Sequence, residues 1–255
     1  MDLTKRQRKI LEIVVKDYIE IVEPISSRHI ENNYNLGVSP ATIRNDLKSL
    51  VGKGYLIQPH TSAGRIPSDK GYRYLVNKLL KQKRELTGSR EIAKRVKRLE
   101  RKVEDEVNFL RELTGFLASL SSSLTYSYLK DKDIFWKEGI EKTLHDPEFK
   151  NIDKIHSFLS FVKEFEKNFE DNFSGDLAER EVKIYIGQEN PFGSQDFSIL
   201  ISKCKFSEDR ETILALLGPK RMAYDKNISL MNSLIKLLET DYDKKRGEEK
   251  QKGEE

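Results

Sequence analysis

The sequence predicts a mainly α-helical protein with small β elements, in three parts: a compact N-terminal unit of helices and one hairpin, a long linking helix, and a C-terminal α+β module. Three observations predict it. Apolar residues recur at helical spacing in three segments between residues 4 and 51 and again from 92 to 124, whereas only short stretches alternate as strands do. Glycine and proline fall between these stretches and punctuate them. Charge changes sign along the chain, at a net +5 over residues 1–78, +5 over 79–130 and −6 over 131–255. The expected divisions are therefore 1–78, 79–130 and 131–242, followed by a charged tail at 243–255 that is too polar to pack and is expected to be disordered.

Thr4 is the N-cap of a first helix to about Ile21, with Ile10, Val14, Tyr18 and Ile21 on one face. Glu23-Pro24 ends it, because proline pushes the preceding residue out of the α region. Ser27 caps a short second helix through about Asn32, and Tyr34 to Gly37 form a turn. Ser39-Pro40 opens a third helix: serine caps, and proline at the first helical position gives up only an amide that has no partner there. Ile43, Leu47, Leu50 and Val51 form its inward stripe, leaving Thr42, Arg44, Asn45 and Lys48 outward. Gly52 and Gly54 end it. Tyr55–Gln58 reads as a strand with Ile66 in its return, Thr61–Arg65 as the hairpin tip, and Asp69 onward as a further helix. Three helices and a two-stranded ribbon, in that order, make a winged helix-turn-helix.

From Ile92 to Leu124 apolar residues step alternately by four and three, broken only at Glu106, as in a heptad seam. A single long helix is expected, and Val96, Leu99, Val103 and Leu110 are its candidate subunit-pairing residues; packing on the chain's own second domain is the alternative. Beyond residue 130, Phe135–Leu144 and Asp153–Phe173 read as helices. Val182–Ile186, Phe197–Phe206 and Thr212–Leu217 read as strands, and a helix follows from about Asp225 to Leu238.

No catalytic constellation emerges. Cys204 is the sole cysteine, so it forms no intramolecular disulfide. His29, His60, His145 and His156 lack the spacing of a helical metal pair, and no glycine-rich phosphate loop or Gly-x-Ser-x-Gly elbow is present. The expectation is a non-enzymatic protein with no metal and no cofactor. The start lacks the apolar run of a secretory signal, and the longest uncharged run, Leu113–Leu129, is too rich in serine and threonine for a membrane span. A cytoplasmic, nucleoid-associated protein without membrane contact is expected.

A basic front half suits a polyanion, and solvated helices of mixed charge give the same composition; the third helix and the wing point to double-stranded DNA. A helix fits the major groove, and residues near its start reach deepest. Those residues are Ser39, Pro40, Thr42, Arg44 and Asn45, with Lys48 one turn on. Arginine suits guanine or phosphate and asparagine suits adenine. At the wing, Arg65 suits the minor groove, while His60, Thr61, Ser62 and the Gly64 amide suit phosphates.

Gly37-Val38-Ser39-Pro40-Ala41-Thr42-Ile43-Arg44-Asn45-Asp46-Leu47 and the run from Gln58 to Tyr74 resemble the DNA-binding end of the HrcA family of bacterial heat-inducible transcription repressors. Ile186–Pro191, Gly218–Tyr224, Trp136–Gly139 and Asp146–Phe149 resemble further signatures of the same family. The resemblance implies a homodimer on an inverted-repeat operator of the CIRCE type upstream of chaperone genes. It also implies a GAF-like second domain and the chaperonin GroEL as partner. It covers residues 1–125 and 134–240: Leu124–Phe135 joins segments that the family separates by early strands of the second domain and an inserted dimerisation domain, so a shortened form lacking both is expected. The other functional reading is a winged-helix regulator controlled by a small-molecule effector at a different operator.

Overall fold

Thr4 caps the first helix as its sequence requires: its Oγ1 accepts from the Gln7 amide at 3.2 Å, and its own amide donates to Gln7 Oε1 at 3.3 Å. The computed structural model describes residues 3–82, 89–103, 105–173, 177–178, 181–207 and 210–252. Their contacts divide the chain into two compact units, Met1–Lys81 and Gln82–Glu255.

In the first unit, α1 (Lys5–Ile21) ends at Val22 in the left-handed region, with φ 64°. α2 (Ser27–Asn33) is capped by Ser26, whose Oγ accepts from the His29 amide, and not by Ser27 as the sequence suggests. α3 (Pro40–Gly52) begins at Ser39-Pro40. β1 (Leu56–Ile57) pairs antiparallel with β2 (Ile66–Pro67), and α4 (Asp69–Gln82) closes the unit. Ile10, Leu11, Val14, Ile30, Ile43, Leu47, Leu50, Tyr72 and Val76 form its core, each at most 2 % exposed. Of the two helical stripes read from the sequence, Ile10, Val14, Ile43, Leu47 and Leu50 face inward, Tyr18 and Val51 are half-buried, and Ile21, at the end of α1, is 44 % exposed.

The second unit is built on a five-stranded antiparallel sheet in the order β4-β3-β7-β6-β5. The strands are β3 (Leu124–Leu129), β4 (Ile134–Glu138), β5 (Val182–Ile186), β6 (Phe197–Ser207) and β7 (Arg210–Pro219). Side chains alternate across it. Tyr126, Tyr128, Phe197, Ile199, Ile201 and Ile213 face the phenylalanines of α8 (Ile152–Lys167) and α9 (Phe169–Phe173), namely Phe158, Phe161, Phe165, Phe169 and Phe173. The opposite parity meets α6 (Glu106–Ser121) and α10 (Tyr224–Lys252): Thr114 Oγ1 donates to Ser127 Oγ at 2.6 Å, and Ser198 Oγ lies 2.8 Å from Tyr224 Oη. α5 (Ser89–Lys102) packs against α6 and α10.

Several expectations change. The linking helix is two helices, α5 ending at Lys102 and α6 beginning at Glu106, and both belong to the second unit. Asp105 starts the new helix, its Oδ1 accepting from the Asn108 amide at 2.8 Å, so a local cap overrides the heptad period. Residues 134–138 are a strand and not the start of a helix; only α7 (Ile140–Leu144) is helical there. Ile134, Phe135 and Trp136 have strand-forming side chains and pair with Leu129, Tyr128 and Ser127, and Gly139 at φ 92° turns the chain into α7. The segment Leu124–Phe135 therefore supplies strands of the sheet. The helix Asp153–Phe173 is divided at Asn168. α10 runs through Lys252, where a disordered tail is expected from 243; residues 253–255 lie outside the described residues.

Candidate nucleic-acid interface

The outward face of α3 is set by how firmly its inward face is held. Ile43, Leu47 and Leu50 are buried, and Asp46 between them is 6 % exposed. Asp46 Oδ2 accepts from Arg6 Nε at 2.5 Å, and Oδ1 from Gln7 Nε2 at 3.4 Å. Gln7 also donates to Ser49 Oγ at 3.2 Å and accepts from Lys53 Nζ at 3.0 Å. The hydrogen bond to Asp46, with the carboxylate's charge, pushes the Arg6 pKa up. α2 is fixed to α1 in the same manner: Asp17, itself buried, accepts from Tyr34 Oη at 2.5 Å and meets His29 Nε2 at 2.7 Å. Nothing in the motifs of the sequence singles out these buried acids. Their only signal is a charged residue on an inward helical position.

With the helix so placed, Ser39, Pro40, Arg44, Asn45 and Lys48 are exposed and Thr42 is half-buried. Ser39 is partly committed to structure, its Oγ accepting from the Thr42 amide at 3.3 Å and lying 3.0 Å from Thr42 Oγ1. Arg44, Asn45 and Lys48 present their polar ends on the solvent side of one short helix.

The wing brings together His60, Thr61 and Ser62, all exposed, with His60 Nδ1 3.1 Å from Ser62 Oγ. Gln58 Nε2 braces the tip by donating to the carbonyls of Thr61 at 2.7 Å and Ala63 at 3.3 Å. Gly64 and Arg65 stand apart from that tip. A Cβ on Gly64 would fall 2.4 Å from the Pro24 carbonyl oxygen, so only glycine permits this crossing of backbones. Arg65 exchanges backbone hydrogen bonds with Ile25 at 2.9 and 2.8 Å. Its Nη1 donates to the carbonyls of Ala63 and Gly64, and burial lowers its pKa. Expected at the tip, Arg65 instead braces the wing's root, because pairing with Ile25 draws it back.

The candidate pairing residues are dispersed. Val96 and Leu110 are 1 % and 0 % exposed within their own unit, Leu99 and Val103 are half-buried, and Val103 lies in the break between α5 and α6. They form no continuous exposed seam; packing within the second unit covers Val96 and Leu110 and only part of Leu99 and Val103. A cavity of about 510 Å³ opens in the same unit between α6, β4, α7 and α8, lined among others by Ala118, Leu124, Lys137, Ile140 and Val162. Among the described residues no helix is long and apolar enough to cross a membrane, and no group of three His, Cys, Asp or Glu is placed to hold a metal ion.

Residues 72–228 match the family described as HrcA protein C terminal domain, and residues 1–64 match the LexA DNA binding domain. The heat-inducible transcription repressor HrcA of Clostridioides difficile is 46 % identical over 125 residues, covering 49 % of this chain and 35 % of that protein. The chain thus matches only about a third of the length of this relative. The HrcA of Alkaliphilus metalliredigens is 43 % identical over 93 % of this chain and 97 % of its own length. That alignment runs over 336 positions, more than the 255 residues of this chain, so the relative carries a segment without a counterpart here. A crystal structure of a hypothetical protein superposes with a TM-score of 0.68 at 21 % identity, over 92 % of this chain and 96 % of that one, which bears on the fold alone. By the match across most of its length and the profile covering residues 72–228, the chain belongs to the HrcA family, whose named members are heat-inducible transcription repressors.

Proposed function

We propose that this chain is a sequence-specific DNA-binding repressor of heat-shock and chaperone genes, acting as a homodimer on an inverted-repeat operator of the CIRCE type. The observation that carries the reading is the outward face of α3, where Arg44, Asn45 and Lys48 project from a helix fixed at its back by Asp46. In this reading Arg44 and Asn45 meet base edges, Ser39, Pro40 and Thr42 set the depth of entry, and Lys48 meets phosphate. His60, Thr61, Ser62 and the Gly64 amide meet the backbone beside the groove, and Arg65 holds the wing in place. An inverted repeat requires a two-fold pair of chains. GroEL, as chaperonin partner, keeps the repressor competent. The protein works in the cytoplasm on the nucleoid and performs no catalysis. A gel shift on a CIRCE-like inverted repeat against scrambled duplex at equal salt tests the reading; equal affinities refute specificity.

A second reading assigns a small-molecule effector to the second unit and a different operator to α3. The cavity beside β4 favours it. A thermal-shift panel of metabolites that moves the unfolding of the second unit supports this reading, and a flat panel removes it.

A further inference from the structure

The helix α5 commits little of its surface to packing. Ile92 and Val96 are buried, and Arg95 lies over the Phe116 ring, 5.2 Å from its centroid. At 3.6 residues per turn, Arg90, Lys94, Lys97 and Arg101 fall in one row opposite Ile92 and Val96, with Arg98 beside them. All five are exposed. The row rises about 16 Å along the helix axis. Arg90–Lys94, Lys94–Arg98 and Lys97–Arg101 are like-charge pairs four residues apart, an arrangement that disfavours an isolated helix.

At Arg90, Arg98 and Arg101 no described residue offsets this repulsion with an ion pair. Glu91 reaches Lys94 at 3.7 Å with both side chains largely in solvent, which contributes little. Exposed cations elsewhere in the unit do cross-link elements: Lys130 with Glu211, Lys137 with Glu166, and Lys154 with Asp196. Positive charge is therefore concentrated on one face of α5, with Arg90, Arg98 and Arg101 making no ion pair among the described residues, although residues 131–255 are net −6.

We propose that this row is a second contact with duplex DNA, lying along the phosphate backbone and reading no sequence. It rests on the reading that the first unit binds DNA. α5 begins seven residues after α4 ends, so once α3 is engaged this contact is intramolecular. A membrane surface fits less well, because the apolar stripe that would enter lipid is already buried against α6 and α10.

The test compares the full chain with Arg90→Gln/Lys94→Gln/Arg98→Gln/Arg101→Gln. A control, Lys142→Gln/Lys150→Gln/Lys163→Gln/Lys167→Gln, removes equal charge from exposed positions elsewhere in the unit. Binding is measured on a CIRCE-like duplex and on scrambled duplex of equal length across a salt series. The α5 variant is expected to flatten the plot of log affinity against log salt by about 3.6, near 0.9 for each of four phosphates no longer neutralised, on both duplexes, while the control keeps the wild-type slope. A slope equal to wild type, or a flattening matched by the control, overturns the proposal. So does an effect seen only with phosphatidylserine-containing vesicles. Wild-type protein that binds both duplexes equally refutes sequence specificity, yet the scrambled duplex still decides the α5 contact. A chain that binds no duplex refutes both.

Discussion

Arg6 of α1 and Asp46 of α3 meet at 2.5 Å, and this bond, together with those from Gln7 to Asp46 and Ser49, ties the N-terminal helix to the back of the helix that faces outward. The acid is nearly enclosed while the arginine is half exposed, so the charge that must stay satisfied is on α3. Asp46→Ala is expected to lower the unfolding midpoint of the first unit and to weaken duplex binding without touching any outward side chain. Calorimetry and gel shift on the same sample check it; unchanged melting with unchanged affinity would leave the bond without consequence.

If α3 enters the groove as proposed, Arg44 and Lys48 separate base reading from phosphate contact. Arg44→Ala is expected to cost about 1–3 kcal/mol of operator affinity and to relax preference at one base pair. Lys48→Ala is expected to weaken all duplexes alike and to flatten the salt slope by about 1. Titrations on an operator set carrying single base changes distinguish the two patterns.

Gly64→Ala places a methyl carbon 2.4 Å from the Pro24 carbonyl oxygen and 2.6 Å from the Ile25 carbonyl carbon. Both are backbone atoms and neither can swing away. A loss of about 1–3 kcal/mol is expected from overpacking, read from urea unfolding. Affinity for DNA should fall as the wing is displaced from Ile25.

Leu110 is fully buried, so Leu110→Ala is expected to cost about 2–5 kcal/mol of stability in the second unit. Light scattering should show the association state unchanged while the protein remains folded. Full stability combined with conversion to monomer would return Leu110 to a subunit interface.

Tyr34 donates to Asp17, and that hydrogen bond, with burial, raises its pKa from 10.0 to about 12. The folded state therefore holds this proton more tightly than the unfolded chain does. The stabilisation is complete below pH 10 and is lost as pH rises through about 12. Because Tyr34 remains substantially exposed, solvent screening keeps the effect small. Tyr34→Phe is expected to be less stable than wild type at pH 8 and to lose less between pH 10 and 12, as followed by urea unfolding at each pH.

Local chemistry made much of the first unit legible. Ser39-Pro40 can begin little but a helix, and the stripe Ile43, Leu47, Leu50 names the inward face, which leaves Arg44, Asn45 and Lys48 outside. Long-range pairing decides what local sequence leaves open. Arg65 sits in a loop-like run of small residues, and nothing nearby in sequence reveals that its backbone pairs with Ile25, forty residues earlier. The same holds for Asp46, whose partner Arg6 lies as far away.

In the second unit the pattern of strands β5, β6 and β7 follows from alternation and turn residues. Residues 134–138 were ambiguous, since a short apolar run suits a helix or a strand until a neighbour such as β3 supplies the other half of the ladder. The heptad period from Ile92 to Leu124 fixed which residues are apolar and which face they share, but a period cannot say what covers that face. The sequence by itself determined the helical N-terminal unit, its outward polar face and the placement of charge. Only the tertiary structure decided that the long seam breaks at Asp105 and is covered by the chain's own helices and sheet, because burial depends on residues distant along the chain and not on the period of any one segment.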